Sequence, residues 1–411
     1  MNFISNIIVL TWFLSVPFYS YSVTGTLSID NVLSPVALLV LLFREMVSPL
    51  ANKAIWKVRI QLLLIFTLYA LSRLASGYGQ PAVTEHTLIL VAKQSLYLFI
   101  PTLYVRDLPS WRRASKFILG IGVIGISSTF LASIGFLEFE NQRFAASRFG
   151  LEGFQKSVAL LSNYGDMAIL GSFSFLILFK LRGQPGYTKG RVLSWALMAL
   201  IILGYLGAQS RNMYLTLLVA ISFGWFLPRA LGNAVALRAL SIFFGILITA
   251  TIVVGVYLAE VNPIQSAREL GGTREAAGTV DVRLEQYRFA WDVFTSNPLF
   301  GRAATVMEQG VEVHNIWMGQ LALGGVVGAL AIALLLFLPL LRMLRLKPLE
   351  SEPVTLRFVG ITQSLCIIFA AEFYGGMTQI FLIMVAMMHL LPIVLDEASG
   401  ESQTSHRGFI L

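Results

Sequence analysis

The chain runs to 411 residues, 56% of them hydrophobic and 13% charged, with 30 Lys and Arg against 22 Asp and Glu. Soluble domains carry about 45–50% apolar and about 25% charged residues. At a mean hydropathy of +0.74 too little polar surface is left to coat a globule, and a disordered chain, a collagen and a coiled coil are excluded as well. A single cysteine, Cys366, excludes a disulfide framework and a Cys-ligated metal. What remains is an all-α polytopic membrane protein.

A helical crossing takes about 20 apolar residues to span roughly 30 Å of hydrocarbon. In chain order twelve runs answer to this: Phe3–Tyr19, Ser28–Phe43, Val58–Leu74, Thr87–Val105, Phe117–Phe136, Val158–Phe179, Val192–Ala208, Met213–Leu227, Leu240–Leu258, Ile316–Leu341, Phe358–Phe373 and Met377–Leu395. The second, eighth and eleventh are short. The first lacks a basic n-region and a small-residue cleavage site, so it reads as a retained span and not as a signal peptide. In the fifth, Gly120, Gly122 and Gly125 fit G-x-G-x-x-G. No strand precedes them, and close helix packing accounts for the glycines. Lys93 and Asp166 fall inside the fourth and sixth spans, where charges are costly; they either pair with each other or line a polar cavity.

Basic residues set the expected orientation. The even-numbered connections hold Arg44, Lys53, Lys57, Arg59, Arg106, Arg112, Arg113, Lys116, Lys180, Arg182, Lys189, Arg191, Arg229, Arg238, Arg342, Arg345, Lys347 and Arg357. The short odd-numbered ones hold only Arg143, Arg148, Lys156 and Arg211. An excess of Lys and Arg marks the cytoplasmic side, so both termini are expected there. The net charge of +8 is thereby read as topology, and nucleic acid is not an expected partner.

One outer connection is far longer than the rest. Glu260–Val313 carries Arg268, Arg274, Arg283, Arg288 and Arg302 and no Lys, interleaved with eight carboxylates. Guanidinium groups grip phosphate oxygens in a planar fork, and a long loop in an economical chain is commonly functional. Within it, Val282–Phe294 is predicted as an amphipathic helix with Leu284, Tyr287, Trp291 and Phe294 in one apolar stripe, stopped by Pro298. Arg288 has Glu285 and Asp292 at helical spacing, so a helix salt bridge is its plainer account. Arg283 has no such neighbour and is the better candidate for an anionic headgroup.

Two further features lie on the same expected side. His314-Asn315 immediately precedes the tenth span. A histidine at a helix N-terminus is held neutral by the helix dipole and suits a general base; a helix cap is the alternative. Gln209-Ser210-Arg211 makes a tight turn between the seventh and eighth spans, where Arg211 is either a snorkelling anchor or part of a site. Arg211, Arg283 and His314 converge on one side, which favours the site.

The ordered set Val282-Arg283-Leu284-Glu285-Gln286-Tyr287, Asn297-Pro298-Leu299-Phe300-Gly301, His314-Asn315-Ile316-Trp317 and Gly324-Gly325 with Gly328 resembles the shared region of the O-antigen ligase and polymerase family. That pattern runs R-L-x-x-W/Y, P-L-x-G, then H-N-x-x-L before a glycine-rich span. Ala208-Gln209-Ser210-Arg211 resembles its upstream turn. Arg302 stands where many relatives have a second glycine. The motifs cover about Ser194 to Leu341.

The resemblance implies a metal-independent inverting glycosyltransferase without cofactor, in a bacterial inner membrane with its site facing the periplasm. The donor would be a glycan on undecaprenyl diphosphate, and the acceptor either lipid A core (a ligase) or a second lipid-linked glycan (a polymerase). Arg211 and Arg283 would neutralise the departing diphosphate and His314 would take the acceptor proton; Arg288, Asn315, Tyr287 and Arg302 would bind substrate. The expected organisation is residues 1–191 with six spans, a ligase-like core over 192–341 containing the loop 260–313, two spans over 342–395, and a cytoplasmic tail over 396–411. A multi-span transporter is the alternative from another class, although no repeat of broken hydrophobic segments points to one. No D-x-D, H-E-x-x-H or GxxxxGK[ST] supports nucleotide-sugar, zinc or ATP chemistry.

Overall fold

The computed structural model describes residues 2–16, 29–50, 52–137, 161, 163–181, 190–230, 274–311, 313–346, 352–371 and 377–407. Among these there is no strand. The helices are α1 (Asn2–Ser15), α2 (Ile29–Val47), α3 (Lys53–Ser76), α4 (Pro81–Tyr104), α5 (Leu108–Ser133), α6 (Tyr164–Lys180), α7 (Arg191–Ala208), α8 (Arg211–Ala230), α9 (Arg274–Ser296), α10 (Ala303–Glu308), α11 (Ile316–Arg345), α12 (Glu352–Ala371) and α13 (Gln379–Arg407).

Local chemistry sets many of the boundaries. Asn52 caps α3 by accepting from the amides of Ala54 and Ile55, and Asp107 forms a reciprocal capping box with Ser110 at α5. Asn163 caps α6, and Pro81 stands in the first turn of α4, where its missing N–H costs nothing.

Eleven of the twelve expected runs fall on helices; Leu240–Leu258 lies outside the described residues, as do Arg143, Arg148 and Lys156. Among the described residues seven helices are long and apolar enough to cross a membrane, in α3, α4, α5, α7, α11, α12 and α13, and α1 and α8 contain shorter apolar stretches. The protein is therefore an all-α membrane protein. Its surface agrees: Leu39, Leu64, Ile89, Ile124 and Leu218 stand exposed on α2, α3, α4, α5 and α8. Water would penalise such a surface and hydrocarbon does not.

Contacts give the direction of each helix. Ser76 bonds the Leu323 carbonyl near one end of α3, while Gln61 near the other accepts from Arg342, so α3 and α11 are antiparallel. Gly122 and Thr129 of α5 meet Ser174 and Met167 of α6, again antiparallel. Gly204 and Gly207 of α7 rest on Ile126 and Phe130 of α5, which makes that pair parallel. Gln94 of α4 and Trp111 of α5 bond the carbonyls of Met377 and Met387, and Thr378 bonds Asp166 in the first turn of α6. The C-terminal ends of α3, α5, α7 and α12 and the N-terminal ends of α4, α6, α8, α11 and α13 consequently lie at one end.

The opposite end is basic. Glu45 lies 2.9 Å from Arg106, 3.2 Å from Arg59 and 3.9 Å from Arg44. Arg44 and Arg59 also donate to the last carbonyls of α4 at Thr102, Leu103 and Tyr104. Arg357 does the same for Met343 and Leu344 of α11, both at 3.0 Å. Cations placed on orphan carbonyls at helix C-termini are favoured by hydrogen bonding and by the dipole.

The glycines of the fifth run behave as packing residues at two of three positions. A Cβ on Gly122 would lie 2.1 Å from Ser174 Oγ and one on Gly125 2.8 Å from Leu161, whereas Gly120 meets nothing within 4 Å. Cys366 is buried and points its thiol at the Thr216 carbonyl, 3.7 Å away.

Candidate functional site

The site is built where the long connection docks onto α11. That helix is broken at Gly325, whose φ of 59° and ψ of −157° are open only to glycine. Breaking a helix strands amides and carbonyls, and the motif Pro298-Leu299-Phe300-Gly301 answers them. Val326 N donates to Pro298 O at 2.9 Å and Val327 N to Leu299 O at 3.3 Å. In return Arg302 N donates to Ala322 O at 2.7 Å, and Ser76 Oγ takes the Leu323 carbonyl at 2.6 Å. The backbones interlock so closely that a Cβ on Gly325 would lie 2.4 Å from the Leu299 carbonyl, and one on Gly301 (φ 65°) 2.4 Å from Ala322 O. Gly324 and Gly328 turn the other way and admit Ser72 of α3, a small-residue contact of the kind that brings membrane helices together. The two motifs thus form one joint.

The joint carries α10 and the first half of α11, Ile316–Gly324, over the α3–α4 turn. Between them lies a cavity of about 300 Å³ walled by Arg73 of α3, His86 of α4, Val306, Val313, Gly319 and Leu323 among others. Among the described residues Arg73 and His86 are its two basic wall residues and no carboxylate lines it, while Glu312, between the wall residues Val311 and Val313, lies outside the described residues. Arg73 is only 6% exposed, and its Nε and Nη1 are buried with no hydrogen-bond partner. The same helices bury further polar atoms without partners: Thr87 Oγ1, Gln94 Oε1 and Gln320 Oε1. Buried polar groups are normally satisfied, so these atoms are exceptions within the bundle.

The expected site residues fall around this joint unevenly. His314 is half-buried between Val313 of the cavity wall and Asn315. Asn315 is the cap of α11: its side-chain oxygen accepts from Met318 N at 3.0 Å, so capping falls to Asn315 and His314 stands one residue outside the helix. Tyr287 is half-buried against the small core of Ala290, Val293, Val306, Val313 and Ala322. Arg288 and Arg302 are exposed, and what holds Arg302 to the joint is its amide.

Arg283 lies in α9 and Arg211 opens α8, both with side chains outside the described residues. Arg211 follows a strained turn: Gln209, with φ 47°, is the one non-glycine at positive φ among the described residues. The α8 N-terminus shares the end that carries the cavity, but α8 packs on α6, α7 and α12, whereas Tyr287, Arg302, His314 and Asn315 belong to the α9–α11 assembly.

Two expectations need correction. The apolar stripe of α9 is rotated: among its described side chains Ala290 and Val293 are the buried ones, and Trp291, expected on the stripe, is 52% exposed. Small Ala290 permits close approach to α11 where an indole would not. In addition, one span is broken, although the hydropathy gave no sign of it, because the break at Gly325 leaves the apolar run Ile316–Leu341 uninterrupted.

Arg73 and His86 were missed by sequence reasoning. Arg73 sits inside the third apolar run, as Lys93 and Asp166 sit inside theirs, and an ionisable residue within a span was the signal that could have singled it out. Asp166 is itself buried, accepting from Thr378 through one oxygen while the other has no hydrogen-bond partner. No protein-family model matches the chain, and no curated protein is similar to it.

Proposed function

We propose that the protein is an inverting glycosyltransferase of the O-antigen ligase type, moving a glycan from undecaprenyl diphosphate to an acceptor hydroxyl at the end of the bundle that carries the cavity. The observation that carries this reading is the cavity itself: a pocket walled by Arg73 and His86, with no carboxylate among its described wall residues, beside His314, in a membrane-embedded chain. An anionic, lipid-borne substrate suits such a pocket. The pairing of Pro298–Gly301 with Gly325 adds support, because it gives the two resembling motifs one shared structural purpose.

In the reaction the acceptor oxygen attacks the anomeric carbon as the bond from that carbon to the diphosphate oxygen breaks. His314 takes the hydroxyl proton, and the diphosphate leaves with its lipid. Arg211 and Arg283 stabilise the charge that develops on it, a contribution of about 10²–10³ in rate for one such donor. General-base help is worth about 10²–10⁴. Arg288, Arg302 and Tyr287 serve the glycan or the headgroup.

The proposed setting is a bacterial inner membrane with twelve spans, both termini in the cytoplasm beside the Glu45 cluster, and the cavity facing the periplasm. The described chain leaves α8 at the basic end and enters α11 at the other, and a ninth crossing by Leu240–Leu258 would join them. Lipid A core as acceptor defines a ligase, and a second lipid-linked glycan defines a polymerase.

Reconstitution of the purified protein with a lipid-linked glycan and either acceptor tests the reading. Transfer to one of them is expected, with His314→Ala and Arg283→Ala inactive but inserted. Solute flux without transfer would favour the transporter.

A further inference from the structure

We propose that the cavity between α3, α4, α10 and the first half of α11 is an anion site, with Arg73 as the residue that binds a phosphate or diphosphate group directly. Three observations carry it. First, Arg73 is only 6% exposed, and its Nε and Nη1 are buried with no hydrogen-bond partner. A charge removed from water is costly unless it is paired and hydrogen-bonded, so a fold that keeps such a group in place has a use for its missing partner.

Second, Arg73 lines a space large enough for an anion. The cavity measures about 300 Å³, whereas a water molecule occupies about 30 Å³ of liquid volume. Third, the wall chemistry selects the sign. His86 joins Arg73, and among the described residues no Asp or Glu lines the cavity. The neighbouring carboxylate of Glu308 is engaged by Gln80. A tetrahedral phosphate presents several oxygens, two of which can accept from one edge of a guanidinium in charge-assisted bonds. Ser76, one turn beyond Arg73, is tied to the Leu323 carbonyl, which holds this turn of α3 against the half-helix of α11 and fixes the arginine in place.

The choice of a lipid diphosphate as the natural source rests on the transferase reading; the anion site does not. Full-length protein in detergent is titrated with inorganic phosphate, inorganic pyrophosphate and farnesyl diphosphate, and both affinity and unfolding temperature are measured. Saturable binding by at least one probe is expected, with the unfolding temperature rising accordingly. Arg73→Gln should weaken that binding at least tenfold, and Arg73→Lys, which keeps the charge but loses the planar fork, should fall between.

Arg73→Met supplies a readout that a merely structural arginine would not give. With no probe present it should unfold at the wild-type temperature or above, since it removes an unpaired buried charge, and the probe-induced rise should vanish. Tighter binding of farnesyl diphosphate than of pyrophosphate assigns the site to a lipid headgroup; the reverse assigns it to a free phosphate. Either supports an anion site. Failure of all three probes to bind the wild type, or equal binding by wild type and Arg73→Gln, overturns it. Arg73-dependent binding in a protein that transfers no glycan would keep the site and sink the transferase. Wild-type transfer by Arg73→Gln with unchanged probe affinity would do the opposite.

Discussion

His314 and Asn315 are neighbours with separate duties. The Asn315 side chain accepts from Met318 N and so is committed to the start of α11. Asn315→Ala should therefore cost about 1 kcal/mol of stability, the usual worth of a lost cap, while Asn315→Ser or Asn315→Asp retains most of it. Thermal unfolding of the three variants checks this, and an Asn315→Ala protein as stable as wild type would show that the cap is dispensable. His314 is half-buried and outside the helix, so His314→Ala should leave the unfolding temperature within the range of ordinary surface changes while transfer disappears. The two variants together separate stability from chemistry at adjacent positions. The pair was legible in the sequence as a helix start, but the division of labour was not, since either side chain could have reached the free amides. Arg73 was harder still, because one charge at the end of an apolar run resembles a snorkelling anchor until its neighbours are known.

At the level of elements, the joint between the Pro298 turn and the break in α11 is the part on which the site geometry depends. Gly325 combines a backbone conformation closed to other residues with a backbone neighbour 2.4 Å from where a Cβ would stand. Gly325→Ala should cost more than about 3 kcal/mol, the strain alone being about 1–3 kcal/mol, and the atom in the way is backbone that cannot step aside. Gly301→Ala meets the Ala322 carbonyl at the same 2.4 Å and should behave alike. Ser76→Ala is milder: it leaves the Leu323 carbonyl without its hydroxyl, at about 1–3 kcal/mol for an unsatisfied buried acceptor. Unfolding temperatures of purified variants rank the three, and Gly325→Ala matching wild type would mean that the helix is not broken in the working protein. Both halves of the joint stood out in the sequence as glycine and proline signals. Their mutual contact did not, because hydropathy and periodicity report local pattern, and this pairing joins segments about two dozen residues apart through backbone groups common to every sequence. The α9 stripe failed for a related reason. Periodicity counts Trp291 as a core residue and passes over Ala290, whereas the neighbour's shape favours the small one.

Across the whole molecule the two ends differ in kind. One gathers Arg44, Arg59 and Arg106 on the single carboxylate of Glu45; the other gathers the turns, the broken helix and the cavity. The alternation of basic connections predicts a polarity of this kind; what the basic residues also do, closing the ends of α4 and α11, needed the contacts. Glu45→Gln would leave three guanidiniums, two of them buried, without their counter-charge, and removing one partner of a buried ionic cluster costs about 3–5 kcal/mol. A clearly lower unfolding temperature is expected, with Glu45→Asp intermediate. Which end faces which compartment can be read with cysteines, because native Cys366 is buried and offers little background. Lys53 and Gln309 are exposed at opposite ends. If the basic end is cytoplasmic, an impermeant maleimide added to intact spheroplasts should label Gln309→Cys at once and Lys53→Cys only after the membrane is permeabilised. Labelling of Lys53→Cys in sealed spheroplasts would invert the molecule, and with it the side on which any donor glycan would have to be presented.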